Sequence, residues 1–274
     1  MQMWFSVTLL IVGLFLYFSY RYTWWKKAVD YRYPRILMYH MIKQHQGGKF
    51  KGLRVSPAMF EKQVKYLVEN GWHFFTMSEL IEKKESLPEK SVALTFDDGY
   101  EDNYTHAFAI LQKYDVKATI YIVVDRHGRE WSSRRKAKNN SGELMQEPKL
   151  TDVQIEEMLA SGLVEIGSHT MTHDNLTTLD TEGKKREIIA SKEMIEKMFG
   201  MVCNSFCYPF GLFDDEDRKW VEKAGYTNAT TTQAGIDDVT TADPYRLKRI
   251  TVSGKDNFLA FRLKLRTGKR GVKK

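Results

Sequence analysis

Two adjacent carboxylates close an apolar run of the sequence. Residues 91–96 read Ser-Val-Ala-Leu-Thr-Phe, which predicts a buried strand, and Asp97, Asp98 and Gly99 follow directly. Because neighbouring side chains at a strand end point apart, one carboxylate can bind a metal ion while the other acts as a base. Asp-Asp-Gly is also ordinary turn chemistry, so this segment alone is a weak indicator of function.

Two histidines four residues apart follow another apolar run. His169 and His173 stand in the segment Ser-His-Thr-Met-Thr-His. One turn of helix would bring imidazoles at this spacing onto one divalent ion, and a carboxylate from another strand end would complete three protein ligands, with a position left for water. This ligand count is typical of catalytic sites. A core histidine beside a surface histidine explains the pair by itself equally well.

A third segment, residues 206–211, is aromatic and ends in Pro209-Phe210-Gly211. The proline and glycine predict a turn at a strand end, where the backbone N–H near Tyr208 could face a developing oxyanion. A buried strand followed by a tight turn is the simpler interpretation of this segment alone.

After residue 34, short apolar runs alternate with amphipathic segments. Strands are predicted at residues 35–40, 91–96, 118–124, 163–167, 204–208 and 227–231. Helices are predicted at residues 58–70, 103–114, 151–161 (with Thr151 as the cap), 182–199 and 215–224. This alternation predicts an α/β fold, a parallel sheet or barrel with helices outside, and functional residues at the carboxyl ends of strands.

Composition and charge narrow the classes of protein. The 274 residues carry 42 Lys and Arg against 35 Asp and Glu, a net charge of +7, and 42% of them are apolar, which excludes a disordered chain. The basic residues concentrate after the N-terminal apolar run, at residues 134–138 and at residues 262–274. They accompany no zinc finger, helix-turn-helix or RNA-binding signature, so no nucleic-acid partner is predicted. Cys203 and Cys207 would lie roughly 13 Å apart in an extended segment, too far for a disulfide, and are predicted to be core thiols.

The N-terminus is the longest apolar run. Residues 3–20 contain no charged side chain and would span about 27 Å as a helix, close to the hydrocarbon thickness of a bilayer. We therefore predict an uncleaved transmembrane anchor at residues 1–22 and a linker at residues 23–34. By the positive-inside rule, the basic residues after the run favour a cytoplasmic domain.

Taken together, the three motifs resemble the polysaccharide deacetylase family, also called the NodB-homology domain or carbohydrate esterase family four. That family carries T-F-D-D-G, H-[ST]-x-x-H and P-[YF]-G motifs in this order along a distorted (β/α) barrel. This chain carries Thr95-Phe96-Asp97-Asp98-Gly99, His169-Thr170-Met171-Thr172-His173 and Pro209-Phe210-Gly211. The resemblance covers roughly residues 36–252 and is far more specific than any single motif.

The resemblance implies a role for each matched residue. Asp98, His169 and His173 would hold a divalent metal, with Zn²⁺ the expected ion, and Asp97 would be the general base. Water on the metal would attack the acetamide carbonyl of a carbohydrate polymer, and the metal and the Tyr208 N–H would stabilise the oxyanion.

The chain departs from the common family pattern in two places. Cys207 stands where many members have an arginine, and no histidine follows His173 to serve as the acid. A branch that acts on exported poly-N-acetylglucosamine has a [LM]-Y-H sequence on an early strand instead, and this chain has Met38-Tyr39-His40. We therefore assign His40 as the general acid and suggest that Arg249 orients Asp97.

These inferences give a deacetylase domain at residues 35–255 and a basic tail at residues 256–274. We expect a single-pass protein of the bacterial inner membrane with its domain on the periplasmic or extracellular side, although the charge pattern favours the cytoplasmic side. Two other functions stay open: a deformylase or deacetylase of a lipid-linked sugar at the cytoplasmic face, and a catalytically silent, membrane-tethered carbohydrate-binding protein. The sequence gives no prediction of oligomeric state.

Overall fold

Most of the strands lie in one parallel sheet that closes on itself. The structure is a computed structural model that describes residues 2–129, 142–269 and 271. The strands are β1 (Arg35–Tyr39), β2 (Met41–Ile42), β3 (Arg54–Val55), β4 (His73–Phe75), β5 (Ser91–Phe96), β6 (Ala118–Ile122), β7 (Val164–Ser168), β8 (Ser205–Cys207), β9 (Asn228–Ala234) and β10 (Leu247–Thr251). Their order is β1-β10-β9-β8-β7-β6-β5, and β5 also pairs with β1, which closes a parallel barrel of seven strands. The predicted α/β barrel is therefore confirmed.

Two further strand pairings lie outside the barrel. On the side away from β1, the first half of β5 pairs with β4 and its second half pairs with β6. β2 and β3 form a separate parallel pair beyond the carboxyl end of β1.

The helices follow the strands as expected for alternating α/β segments. They are α1 (Gln2–Tyr22), α2 (Pro57–Glu69), α3 (Met77–Glu82), α4 (Ala109–Tyr114), α5 (Glu143–Gln146), α6 (Asp152–Ala160), α7 (Thr181–Lys185), α8 (Ser191–Phe199), α9 (Asp215–Lys223) and α10 (Phe258–Thr267). Two π-helical segments, Asn103–Phe108 and Arg186–Ala190, lead into α4 and α8. The predicted cap at Thr151 is confirmed, since its hydroxyl accepts a hydrogen bond from the Gln154 N–H.

Strand alternation separates two cores. In β5, Val92, Leu94 and Phe96 face the helices and pack in the larger core with Phe60 and Val64 of α2. The intervening residues face the barrel interior, where Ala93 belongs to a smaller core with side chains from five other elements: Ile36, Met77, Tyr121, Cys207 and Leu247. A side chain on the Ala93 face therefore points toward the barrel axis.

The linker and the tail are tied to each other. Buried Arg35 donates hydrogen bonds to the carbonyl oxygens of Leu265 in α10 and of Val29 in the linker. Phe261 and Leu265 of α10 belong to the larger core. Residues 258–267 therefore pack as a helix on the barrel, whereas residues 134–138, 270 and 272–274 of the basic segments lie outside the described residues.

The predicted transmembrane anchor is not supported. Within the described part of the chain, no helix combines the length and apolar character needed to cross a bilayer. The location at the inner membrane stays a prediction.

Candidate active site

The Asp97-Asp98-Gly99 turn begins where β5 leaves the barrel. The Asp97 N–H still donates to the Tyr39 carbonyl of β1 at 3.0 Å, after which Asp98 adopts a φ of +77° and Gly99 a φ of +64°. These left-handed conformations turn the chain sharply, so the two carboxylates face different directions. Both carboxylates are buried, with 2% and 4% of the residue exposed.

Asp98 meets both histidines of the second motif. Its Oδ1 lies 3.5 Å from Nε2 of His169 and 3.3 Å from Nε2 of His173. Four ligands at about 2.1 Å around a tetrahedral ion are separated by about 3.4 Å, so these distances fit one Zn²⁺-sized ion. Burial opposes ionisation of Asp98, but hydrogen bonds from the two imidazoles outweigh it and hold the pKa of its carboxyl well below its usual range.

The tautomer of His169 is fixed by its other nitrogen. Nδ1 lies 2.7 Å from the Cys207 carbonyl oxygen, which can only accept, so Nδ1 carries the proton. Without a metal ion Nε2 faces Asp98 as a donor, and a bound ion would take the place of that proton, as in a metal-ligating histidine whose other nitrogen donates to a carbonyl. For His173, burial lowers the pKa and favours the neutral form that binds metals.

The histidines converge through an irregular loop. The prediction of a helical turn over residues 169–173 is wrong, because these residues are not helical. Thr170 and His173 have φ values of +71° and +61°, and the His173 N–H donates to the Thr170 hydroxyl at 3.0 Å. The hydroxyl bond competes with helical hydrogen bonding and folds the loop back on itself.

Asp97 is paired with Arg249 inside the barrel. Leu247 and Arg249 lie on the inward face of β10, and the guanidinium reaches both Asp97 oxygens at 2.6 and 2.8 Å. It also donates to the Thr95 hydroxyl at 3.0 Å and the Thr231 carbonyl at 2.8 Å. Burial opposes ionisation of Asp97, but the charge and hydrogen bonds of Arg249 prevail and lower its pKa below the ordinary value.

His40 also lies close to Asp97. Its Nε2 is 3.9 Å from Asp97 Oδ2, and 18% of its side chain is exposed. The carbonyl of His40 accepts a hydrogen bond from Asn103 Nδ2 at 2.8 Å, and the Ile42 N–H donates to Asp102 at 2.7 Å. Burial raises the pKa of Asp102 to about 7. Asn103 thus holds the backbone of His40 and Asp102 holds that of Ile42, two residues later, a function that nothing in their sequence context indicated.

Comparison with known proteins agrees with this geometry. The family model described as Polysaccharide deacetylase matches residues 84–229. A Bacillus subtilis protein named as a polysaccharide deacetylase, YxkH, is 33% identical over 233 residues, which are 84% of this chain and 75% of that protein. The chain belongs to the polysaccharide deacetylase family.

Two further similarities are to proteins of the same family. The poly-β-1,6-N-acetyl-D-glucosamine N-deacetylase of Staphylococcus aureus is 30% identical over 190 residues, 65% of this chain and 60% of that protein. The crystal structure of BC0361, a polysaccharide deacetylase from Bacillus cereus, is 31% identical with a TM-score of 0.72, covering 85% of this chain and 69% of that one. Family membership makes the chain a hydrolase of carbon–nitrogen bonds, a polysaccharide N-deacetylase.

The third motif of the deacetylase forms one wall of the site. The ring of Phe210 packs edge-on against His173, with ring centroids 4.7 Å apart, and Phe210 has a φ of +59°. The Tyr208 N–H, however, donates to the Thr230 carbonyl at 3.2 Å. In this structure the Tyr208 N–H is therefore engaged in pairing β8 with β9, and the assignment of this amide to the oxyanion stays a prediction.

Gly211 of this turn permits a close approach to Thr232. A Cβ at Gly211 would lie 2.1 Å from the Thr232 hydroxyl oxygen and 2.6 Å from its backbone nitrogen, at a φ of +67°. We expect Gly211→Ala to lower the free energy of unfolding by about 1–3 kcal/mol, because the turn must move. Turnover should fall as well, since Phe210 leaves His173. Urea unfolding and deacetylation rates would measure the two effects.

Gly200→Ala is the matched control. Gly200 has a similar φ of +61° but open space where the Cβ would stand, so it isolates backbone strain from the steric clash. Equal losses of stability in the two variants would contradict the expectation that the clash with Thr232 destabilises Gly211→Ala.

Proposed function

We propose that this deacetylase removes N-acetyl groups from a polysaccharide that contains N-acetylglucosamine, with one divalent ion held by Asp98, His169 and His173. One observation carries the proposal: one carboxylate oxygen lies 3.3 and 3.5 Å from the nitrogens of two imidazoles. A second carboxylate, which is paired with arginine, is its neighbour in the chain. Nitrogen and oxygen donors in this number favour Zn²⁺. The similarity to the Staphylococcus aureus enzyme supports N-acetylglucosamine as the sugar.

The ion, when bound, would supply Lewis-acid polarisation of the acetamide carbonyl and a lowered pKa for the attacking water. Asp97 accepts the proton of that water, because Arg249 keeps its carboxyl ionised and oriented. His40, whose Nε2 lies 3.9 Å from Asp97, donates a proton to the amine as the carbon–nitrogen bond breaks. Acetate and the free amino sugar are the products.

Because the Tyr208 N–H is engaged by Thr230, another amide of the third motif is the better candidate to face the oxyanion. We assign this role to the N–H of Phe210, two residues beyond Tyr208 in the same turn. Its ring contact with His173 holds this backbone beside the proposed metal ligands.

Acetate release from N-acetylglucosamine oligomers tests the proposal. The full chain should release acetate from β-1,6- or β-1,4-linked oligomers, lose this activity with a chelator and regain it with Zn²⁺ or Co²⁺. Asp98→Ala should be inactive, whereas Asp115→Ala, which changes an exposed aspartate, should retain the activity of the unaltered protein. Oligomer binding without acetate release by the metal-loaded protein would instead support a silent carbohydrate-binding function.

A further inference from the structure

The loop between the two histidines is held in an unfavourable backbone conformation. Thr170 and His173 both have positive φ although neither is glycine. Such residues retain this conformation only where the surrounding structure fixes it. The contacts that fix this loop are therefore part of what places the imidazoles at Asp98.

Glu187 makes the central contact. It lies in the π-helical segment Arg186–Ala190, and only 1% of it is exposed. Its Oε2 accepts the N–H of Thr172 at 2.9 Å, and its Oε1 accepts the Thr172 hydroxyl at 2.8 Å. Thr172 directly precedes His173, so both oxygens of one carboxylate hold the residue next to a proposed ligand.

The backbone bond is the distinctive part of this contact. The Thr172 hydroxyl also lies 3.0 Å from Asp174 Oδ2, and its single proton can serve only one carboxylate at a time. The Thr172 N–H is given to Glu187. A carboxyl group offers one oxygen to each of the two Thr172 donors, whereas the amide of glutamine has only one acceptor oxygen, so a carboxyl group suits this position better than an amide.

The same helical region holds the start of the loop. Ser191, four residues after Glu187, has its hydroxyl 2.8 Å from that of Ser168, and the Ser168 hydroxyl accepts the Thr170 N–H at 3.2 Å. Glu187 itself is absent from the metal-ligating groups found among the described residues. It therefore acts on the site through Thr172.

We propose that Glu187 is a positioning residue for metal binding: it fixes the Thr172 backbone so that His173 stays within reach of the ion shared with Asp98 and His169. This inference rests on the proposed metal-dependent function. Loss of the Glu187 carboxylate weakens the affinity for the ion. The chemistry at saturating metal is retained, because Asp97, Arg249 and His40 are unchanged.

Zinc affinity of the full chain tests this role. In metal-free protein titrated with Zn²⁺ against a chromophoric chelator, Glu187→Gln should raise the zinc Kd by about 10- to 100-fold. The visible absorption of the Co²⁺-loaded variant should shift, since the His173 ligand geometry relaxes. At saturating Zn²⁺, kcat and KM should stay close to those of the unaltered protein.

Glu196→Gln is the matched control. Glu196 lies on α8 and also accepts a backbone N–H, from Cys203 at 3.0 Å. Its carboxylate pairs with Lys192 rather than with the histidine loop. It should leave the zinc Kd and the Co²⁺ spectrum unchanged. Thr172→Val, which removes only the hydroxyl donor, should weaken zinc binding by a smaller factor than Glu187→Gln.

The outcomes separate this inference from the function on which it rests. An unchanged zinc Kd in Glu187→Gln, or in Thr172→Val where the first variant does not fold, would overturn the inference alone. A loss of zinc affinity in Glu187→Gln no larger than that in Glu196→Gln would also overturn it. Failure of the unaltered protein to bind zinc would overturn the proposed function and this inference with it.

Discussion

Replacing His40 with glutamine is expected to lower kcat for deacetylation by about 10²- to 10⁴-fold, the usual contribution of a general acid. Glutamine preserves much of the length and polarity of histidine but cannot donate a transferable proton to the leaving amine. His40 lies 3.9 Å from Asp97 and outside the Asp98–His169–His173 group, so metal content should stay at the level of the unaltered protein. Steady-state kinetics and metal analysis of the same preparation would measure both.

His73→Gln is the matched control for this experiment. His73 is an exposed histidine at the start of β4, away from the carboxyl ends of the strands where the site lies. Its replacement should leave kcat unchanged. A His40→Gln variant with full turnover would remove His40 from the mechanism, and one that lost its metal would reassign it to metal binding.

Arg249→Met should destabilise the folded protein by about 3–5 kcal/mol, the cost of leaving a buried charge without its partner. Arg249 is fully buried and makes two hydrogen bonds to Asp97, whose buried carboxyl would then lose its guanidinium partner. Turnover should also fall, because the pKa of Asp97 rises and its orientation is lost. Chemical unfolding of the metal-free protein would measure the stability effect.

A double variant separates the effect of the unpaired charge from the other effects of the substitution. Adding Asp97→Asn to Arg249→Met should recover much of the lost stability without recovering turnover, since the unpaired charge is removed together with the base. Arg218→Met, at a partly exposed pair with Asp243, should cost at most about 1 kcal/mol. Equal costs for Arg249→Met and Arg218→Met would contradict the importance of the buried pair.

The Asp97–Arg249 pair also gives stability a pH dependence. The pKa of Asp97 in the folded protein is below its ordinary value. The pair therefore stabilises the fold fully above that ordinary value, and this contribution is lost as the pH falls through the lowered pKa.

Most of the barrel could be predicted because its strands are buried apolar runs between turn residues. β5 was predicted at residues 91–96 and found at Ser91–Phe96, and the helix predicted at residues 58–70 is α2. β10 was missed because Lys248 and Arg249 interrupt its apolar pattern. Hydrophobic periodicity does not predict an inward-facing arginine, although Arg249 completes the site.

The spacing of residues in the sequence does not determine the backbone geometry on which the details of the site depend. The four-residue interval between His169 and His173 suggested a helix, whereas Ser168, Thr170 and Thr172 supply hydroxyls that form hydrogen bonds within the loop and to Glu187. Such a concentration of hydroxyl residues was a signal against helix. The pairing of the Tyr208 amide with Thr230 could be known only from the register of β8 and β9.

Anomalous X-ray diffraction from crystals of the metal-loaded protein tests the central claim most directly. A single anomalous peak at the absorption edge of the bound metal should lie about 2.0–2.2 Å from an Asp98 oxygen and from Nε2 of both His169 and His173. A metal peak bound by other residues, or the absence of a peak beside these three side chains in protein that releases acetate, would contradict it.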